Sequence, residues 1–310
     1  MPDKVLPFTT ILLLAAFLSS CEDSSSDKLR VAFSEEAHNQ FFHIVQNQTF
    51  DKRSGIELSL YPTTSPASTS RLFHNGIVDF AILELDDAIT VANSKPVTLI
   101  GALGRMPGTH ALLGRGNIES IEDLRGQKLG TYRRNNRFLY NIFDSEGLSE
   151  NDVEFVYVSN TESEVTLRDE KIDAVVALEP QATRLKRAGF QELFNVSETS
   201  SKPIYVLLAS TEHLKEHGDQ IPALIASWEA GLKFSYGNPE LAAAILGPKI
   251  GLTPKEFENL IRRFEPNMEL STDFPEELSI ESERLNRRLS ELLQPNIGES
   301  VSKINLYWRQ

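Results

Sequence analysis

The chain has 310 residues, of which 40% are hydrophobic and 24% are charged, and it contains 17 glycines and 15 prolines. This balance excludes a disordered, collagen-like or low-complexity protein. Asp and Glu number 44 against 31 Lys and Arg, which gives a formal net charge of -13. Because such a surface repels phosphates, we expect neither a nucleic acid nor an anionic membrane surface to be the main partner.

The first 20 residues have the composition of an export signal. Residues 11–18 are apolar, and a run of about eight residues is too short for a membrane span, which needs about 20. Cys21, the only cysteine of the chain, directly follows Leu18, Ser19 and Ser20. This order resembles the lipobox of bacterial lipoproteins, in which the cysteine is lipidated and becomes the first residue of the mature protein. We therefore predict a signal peptide over residues 1–20 and a lipid, such as palmitate, on Cys21.

A polar, serine-rich stretch over residues 21–27 is predicted to be a flexible tether between that lipid and a globular body. Lipidation would use the only sulfhydryl, which excludes thiol catalysis, zinc–thiolate sites and iron–sulfur clusters. His213 and His217 are four residues apart on a predicted helix, but the residues between them indicate a solvated helix surface rather than a metal site. We expect no cofactor and no bound metal.

From Leu29 onward, short apolar runs alternate with stretches of helical periodicity. The predicted strands cover residues 29–33, 56–60, 78–83, 97–103, 111–113, 128–131, 153–157, 174–178 and 204–209. The predicted helices between them cover residues 37–46, 66–75, 86–92, 137–146, 162–169 and 180–187. This alternation indicates βαβ units and mainly parallel sheets. After Ser210 no further strand is predicted, and five helices follow at 213–218, 222–236, 239–246, 254–263 and 275–293.

Three motifs carry a resemblance to a known family. They are NGIVDFA at residues 75–81, IESIEDLRGQKLG at 118–130 and KIDAVVALEP at 171–180. In this order and spacing they resemble the type 2 periplasmic substrate-binding proteins of the nitrate, sulfonate, taurine and thiamine-precursor group, which serve ABC transporters. The resemblance runs from about residue 29 to about residue 293.

The resemblance implies an α/β fold of two lobes, each a mainly parallel sheet flanked by helices, with a helical C-terminal region. Lobe I would comprise residues 28–105 plus 205–310, and lobe II would comprise residues 106–204. The two crossings between the lobes, near residues 103–110 and 200–204, would act as a hinge between an open and a closed form.

Ligands of open α/β sheets bind beyond the carboxyl ends of the strands, where the following helices begin. Polar residues at these positions are therefore the candidate ligand-binding residues: Ser34, Glu35, Thr64, Ser65, Glu84, Asp86, Arg133, Asn135 and Glu179. Glu36 and Asn39 also follow the first strand. His110 stands at the first crossing, where one subgroup of the family has an acid.

Each candidate also has a purely structural interpretation. Thr64 and Ser65 could only cap a helix, Asp86 could only complement a helix dipole, and Arg133 could only be solvated. The carboxylates would suit a cation or a ring rich in N–H donors, whereas the arginine and the helix caps would suit an anion. The ligand class therefore stays open among sulfonate, nitrate, amino acid and pyrimidine.

The function expected from these observations is an extracytoplasmic, lipid-anchored solute-binding protein. It would stand in the periplasm or on the outer face of the cell membrane and deliver a small polar ligand to an ABC permease. The alternative is a lipoprotein on the same scaffold that presents ligand occupancy to a membrane sensor. An enzyme of the thiamine-precursor type is the third possibility, but no catalytic motif in the sequence supports it.

Overall fold

Two β-sheets form the framework of the molecule. The computed structural model describes residues 28–92, 94–132, 137–195, 203–266 and 304–306. The strands are β1 Lys28–Ser34, β2 Glu57–Thr63, β3 Phe80–Glu84, β4 Val97–Arg105, β5 His110–Gly114, β6 Lys128–Thr131, β7 Glu154–Tyr157, β8 Ala174–Leu178, β9 Gln191–Asn195, β10 Ile204–Ser210, β11 Glu265–Pro266 and β12 Ile304–Leu306.

Helices cover the faces of both sheets. They are α1 Phe41–Asn47, α2 Phe50–Arg53, α3 Pro66–His74, α4 Leu85–Ala92, α5 Arg137–Glu146, α6 Ser163–Arg168, α7 Gln181–Arg187, α8 Thr211–His217, α9 Ile221–Gly237, α10 Pro239–Leu246 and α11 Pro254–Ile261. Short 3-10 helices include Ala37–Gln40, directly after β1, and Gly247–Ile250, directly after α10. Within the described residues, no helix has both the length and the hydropathy to cross a membrane.

The first sheet has the strand order β11-β4-β10-β3-β1-β2, and β12 also pairs with β4. Alternate residues of each strand face opposite sides, so Phe80 and Ile82 pack with α1 and α9, whereas Ala81 and Leu83 pack with α3 and α4. Both faces are buried in this way, which explains why the strands read as unbroken apolar runs.

The second sheet has the order β7-β6-β8-β5-β9. Its strand β6 is parallel to β7 and β8, whereas β5 is antiparallel to β8 and β9. In the first sheet, β1 is parallel to β2 and β3, whereas β10 is antiparallel to β3 and β4. The α/β fold with two sheets is confirmed. Most strands of each sheet run in one direction, and the exceptions are β10 and β11 in the first sheet and β5 in the second. The reason is that β5 and β10 enter from the other sheet at the carboxyl edge and therefore run backward.

The prediction that strands stop after Ser210 was wrong, because β11 and β12 both join the free edge of β4. Strands of two and three residues are too short to show an alternation of apolar and polar side chains. They form only because the edge of β4 offers unpaired backbone groups. Strand β9 and helix α2 were also missed. The predicted helix 275–293, the signal peptide 1–20 and the tether 21–27 lie outside the described residues, as do residues 200–202 of the second crossing.

Candidate functional site

The carboxyl edges of the two sheets meet at the start of β5. The Glu179 N–H, just after β8, donates to the Thr109 carbonyl oxygen at 2.8 Å. The next residue, His110, has its Nε2 at 3.8 Å from Oε2 of Glu84, the last residue of β3. Two predicted ligand-binding residues, Glu84 from the first sheet and Glu179 from the second, are therefore brought together through Thr109 and His110.

His110 is held from both sides of its ring. Its Nδ1 lies 3.1 Å from the Thr109 hydroxyl, which itself donates to the Met106 carbonyl oxygen at 3.2 Å. On the other side of the ring, Nε2 lies 3.0 Å from the Tyr132 hydroxyl oxygen. The ring thus links the end of β6 to the first crossing.

A compact polar turn follows β1. The Ser34 hydroxyl donates a short hydrogen bond to the Glu36 carboxylate, and Asn39 Nδ2 donates to the same oxygen at 2.9 Å. Gln40 Nε2 lies 3.2 Å from both the Ser34 and the Glu36 carbonyl oxygens. Burial raises the pKa of Glu36 to about 7, even though the bonds from Ser34 and Asn39 favour its charged form.

At this strand end Glu35, rather than Glu36, was the predicted ligand-binding carboxylate. The structure buries the Glu36 side chain, with 4% exposed, whereas Glu35 is half-buried. The predicted Ser34 is buried too, and its hydroxyl is committed to Glu36. The neighbouring His38 was not singled out, although only 3% of it is exposed and its ring lies against Tyr205 with centroids 3.7 Å apart.

Glu179 is almost fully buried at the end of β8. Its Oε2 accepts from the Thr183 N–H at 2.9 Å, and its Oε1 lies 4.0 Å from Nη1 of Arg263, which follows α11. Burial raises the pKa of Glu179, and the bond from Thr183 and the positive charges of Lys186 and Arg263 only partly oppose that effect. The Glu179 carboxylate is buried at a strand end, and its neighbours offset only part of the unfavourable effect of that burial. Such a group is suited to pairing with a hydrogen-bond donor on a ligand.

The other predicted residues have different surroundings. Thr64 is exposed, and the Ser65 hydroxyl accepts from the Ser68 N–H at 3.2 Å and so caps α3. Asp86 is half-buried in the first turn of α4, two residues after Glu84. Arg133 and Asn135 lie outside the described residues, as does Cys21.

Within the described residues there is no group of three or more His, Cys, Asp or Glu side chains arranged to hold a metal ion. The rings of His213 and His217 are 4.8 Å apart, and His213 Nδ1 lies 3.4 Å from Oδ1 of Asp79. That carboxylate already binds both Nε and Nη2 of Arg30, at 2.9 and 2.5 Å. Among the residues that the structure describes, the two histidines therefore have no third ligand to offer a metal.

The family model described as "NMT1/THI5 like" matches residues 41–242, which is more than half of the chain. The chain belongs to the NMT1/THI5-like family. The resemblance carried by the three sequence motifs is thereby confirmed. No curated protein sequence matches the chain.

Solved structures with this fold include three that cover most of the chain. The alkanesulfonate-binding protein SsuA from Xanthomonas axonopodis pv. citri, bound to MOPS, is 13% identical over 90% of this chain and 98% of its own, with a TM-score of 0.74. The nitrate-binding protein NrtA from Synechocystis PCC 6803 is 12% identical over 90% and 86%, with a TM-score of 0.70. The CA3427 gene product of Candida albicans is 13% identical over 90% and 95%, with a TM-score of 0.75. At these identities the likeness establishes the periplasmic-binding-protein fold.

Proposed function

We propose that this NMT1/THI5-like protein is an extracytoplasmic solute-binding protein that captures a small polar molecule between two lobes and delivers it to an ABC importer. The observation that carries the proposal is the meeting of Glu84, His110 and Glu179 at the facing carboxyl edges of the two sheets. Lobe I would comprise residues 28–105 plus 205–310, and lobe II residues 106–204. The binding roles of the structural neighbours agree with this function.

A second set of contacts supports a closing motion between these lobes. From α7, Arg184 donates to the Ile250 carbonyl oxygen and Arg187 pairs with Glu256. The Arg187 guanidinium, helped by the Thr253 N–H, lowers the pKa of Glu256 to about 2. These contacts join segments of opposite lobes, so they would separate when the cleft opens.

The solute would be of the sulfonate, nitrate, amino acid or pyrimidine class. Ser34, Glu35, Thr64, Ser65, Glu84, Asp86, Arg133, Asn135 and Glu179 are the residues proposed to form or support its site. Glu84 and Glu179 have the strongest structural support, because they lie on opposite sides of the contact between the sheets. We expect no enzymatic activity.

Glu179→Ala is expected to weaken the binding of a solute found by thermal-shift screening about 10-fold or more. Losing a buried, charge-assisted hydrogen bond costs about 1.5–3 kcal/mol, and about 1.4 kcal/mol corresponds to a tenfold change in Kd. Titration calorimetry measures the change, and Glu164→Ala, an α6 carboxylate paired with Arg168, is the matched control. Small-angle scattering should show a smaller radius of gyration for the wild-type protein with that solute.

If the radius of gyration of the wild-type protein does not change with a saturating solute, the closing mechanism is contradicted. If Glu179→Ala binds the solute with the same Kd as wild type, Glu179 has only a structural role. Uptake of the solute by the host should also be lost when the gene for this protein is deleted. Normal uptake in the deletion strain, with solute binding intact in the purified protein, would favour the sensor function over transport.

Cys21→Ala is expected to abolish lipid labelling and to move the protein out of the membrane fraction. The proposed anchor is a lipid on the only cysteine, at the end of the export signal, and no other residue in the chain can replace that thiol. Labelling with an alkyne-bearing palmitate, followed by fractionation, measures both effects, and Ser24→Ala is the control. A Cys21→Ala protein that stays membrane-bound would contradict the anchor and the expected place in the periplasm or on the outer face of the cell membrane.

A further inference from the structure

Helices α7 and α11 pack in the cores of different sheets and contact each other beside the candidate site. Ala182 and Leu185 of α7 lie in a core of the second sheet, whereas Phe257 and Leu260 of α11 lie in a core of the first sheet. Side chains and backbone groups of the chain itself join the two helices and the residues that flank them. We call this region, residues 179–187 together with residues 250–263, the α7–α11 contact.

Arg184 is received where the opposite backbone comes very close to α7. Its Nη2 donates to the Ile250 carbonyl oxygen, and its Nη1 donates to Gln181 Oε1 at 3.1 Å, which holds the guanidinium in position. The next residue, Gly251, has no side chain, and a Cβ there would lie 2.6 Å from Arg184 Nη2. The glycine thus leaves the room that this guanidinium needs to lie against the backbone.

Arg187 pairs with Glu256, a carboxylate that is already fixed within its own helix. Glu256 Oε2 accepts from the Thr253 N–H at 2.8 Å and from the Thr253 hydroxyl at 2.7 Å, which leaves Oε1 for Arg187. The Arg187 guanidinium, together with the Thr253 N–H, lowers the pKa of Glu256 to about 2, so the carboxylate is charged near neutral pH. Both side chains are partly exposed, and salt therefore weakens their attraction.

The α7–α11 contact begins at the candidate site and continues away from it. Glu179, directly before Pro180 and α7, has its Oε1 4.0 Å from Nη1 of Arg263. Arg184 and Arg187 are three residues apart on α7 and share one face of that helix. At about 1.5 Å per residue, Arg187 lies about 12 Å farther along the helix than Glu179. The two guanidinium groups on α7 are thus bound to the chain itself, beyond the proposed solute site.

We propose that the α7–α11 contact is an electrostatic latch that draws the two lobes together, so that Arg184 and Arg187 raise the affinity for a solute that they do not touch. The inference rests on the proposed function and adds a regulatory element to it. Both partners of each contact belong to the chain, so the latch needs no solute in order to form. A larger closed fraction lowers the apparent Kd, because the apparent Kd is the Kd of the closed form divided by that fraction.

Arg187→Gln and Glu256→Gln, alone and together, test the latch. Glutamine at residue 256 removes the charge and can still complete the capping box with Thr253, so α11 keeps its N-terminal cap. Each single variant should lower the ratio of closed to open protein about 2- to 5-fold. The double variant should be no more open than either single variant, because all three lose the same pair. Glu258→Gln is the matched control, since Glu258 pairs with Lys255 and Arg262 of its own segment.

The distance between two spin labels reports the closed and open forms without a solute. Val165→Cys on α6 and Leu241→Cys on α10 replace exposed side chains on the two proposed lobes, and Cys21→Ala removes the only native thiol. The short distance should predominate in otherwise unchanged protein at about 20 mM salt and should lose population at about 500 mM salt. At low salt, Arg187→Gln and Glu256→Gln should shift the population toward the long distance, and Glu258→Gln should not.

Affinity provides the second measurement, made with a solute found by thermal-shift screening. At low salt the Kd should rise in Arg187→Gln and Glu256→Gln by up to the same 2- to 5-fold, and at about 500 mM salt this difference from wild type should shrink. Equal distance distributions for these variants and the unchanged protein at low salt would overturn the latch. A distribution that does not respond to salt would overturn it as well.

Failure of the proposed function has a different signature. In that case no solute would shorten the label distance or raise the unfolding midpoint of wild type, although the ligand-free distances would still depend on Arg187 and Glu256. Failure of the latch alone leaves a protein that binds a solute and closes on it, with label distances and a Kd that Arg187→Gln does not change.

Discussion

Glu36→Gln is expected to stabilise the protein at pH 8 by up to about 3 kcal/mol relative to wild type. Burial raises the pKa of this carboxyl from 4.5 to about 7, so the folded protein favours the protonated form. The contribution of Glu36 to stability is therefore complete below pH 4.5 and is lost as the pH rises toward 7, at about 1.36 kcal/mol per unit of pKa difference. Glutamine keeps an oxygen for the Ser34 and Asn39 donors and never ionises.

Urea denaturation at pH 4.5, 6 and 8 measures this effect as the difference between the two proteins. The difference should be smallest at pH 4.5, where both side chains are uncharged in the folded protein, and largest at pH 8. Glu57→Gln is the control, because Lys28 lowers the pKa of that exposed carboxyl and the effect there has the opposite sign. A Glu36→Gln variant that is less stable than wild type at pH 8 would show that the charged carboxylate is paired in the fold.

Most of the framework could be predicted from the sequence because its strands are covered on both faces. The strand at 174–178 was predicted with the bounds that β8 has, since its five residues are all buried and form an unbroken apolar run. The direction of β5 and β10 could not be obtained in this way. Their runs look like those of parallel strands, and only the path of the chain between the sheets makes them antiparallel.

The candidate site was predictable only where a strand end defines it. Glu84 and Glu179 are the residues at or directly after the ends of β3 and β8, so position alone selected them. His38 could not be selected, because the rings that bury it belong to Tyr205 and Phe264, which are far away along the chain. The choice between Glu35 and Glu36 was equally inaccessible, since the turn after β1 decides which carboxyl is buried.

Gly104→Ala is expected to destabilise the protein by about 2–5 kcal/mol, because it combines backbone strain with overpacking. Gly104 has φ +154, and a Cβ there would lie 2.5 Å from the Glu265 carbonyl oxygen and 2.7 Å from two ring carbons of Phe264.

The backbone of β11 cannot move away from Gly104 without breaking its pairing with β4, and the Phe264 ring is held against Phe41 at 5.7 Å and His38 at 5.8 Å. Chemical denaturation measures the loss. Two other glycines separate backbone strain from overpacking, because a Cβ added at either would have no atom within 4 Å. Gly55 has φ +81, so Gly55→Ala tests backbone strain alone. Gly116→Ala should leave the free energy of unfolding within about 0.5 kcal/mol of wild type. If Gly104→Ala loses no more stability than Gly55→Ala, then β11 and Phe264 do not pack on β4 as described, and the ring that encloses His38 is elsewhere.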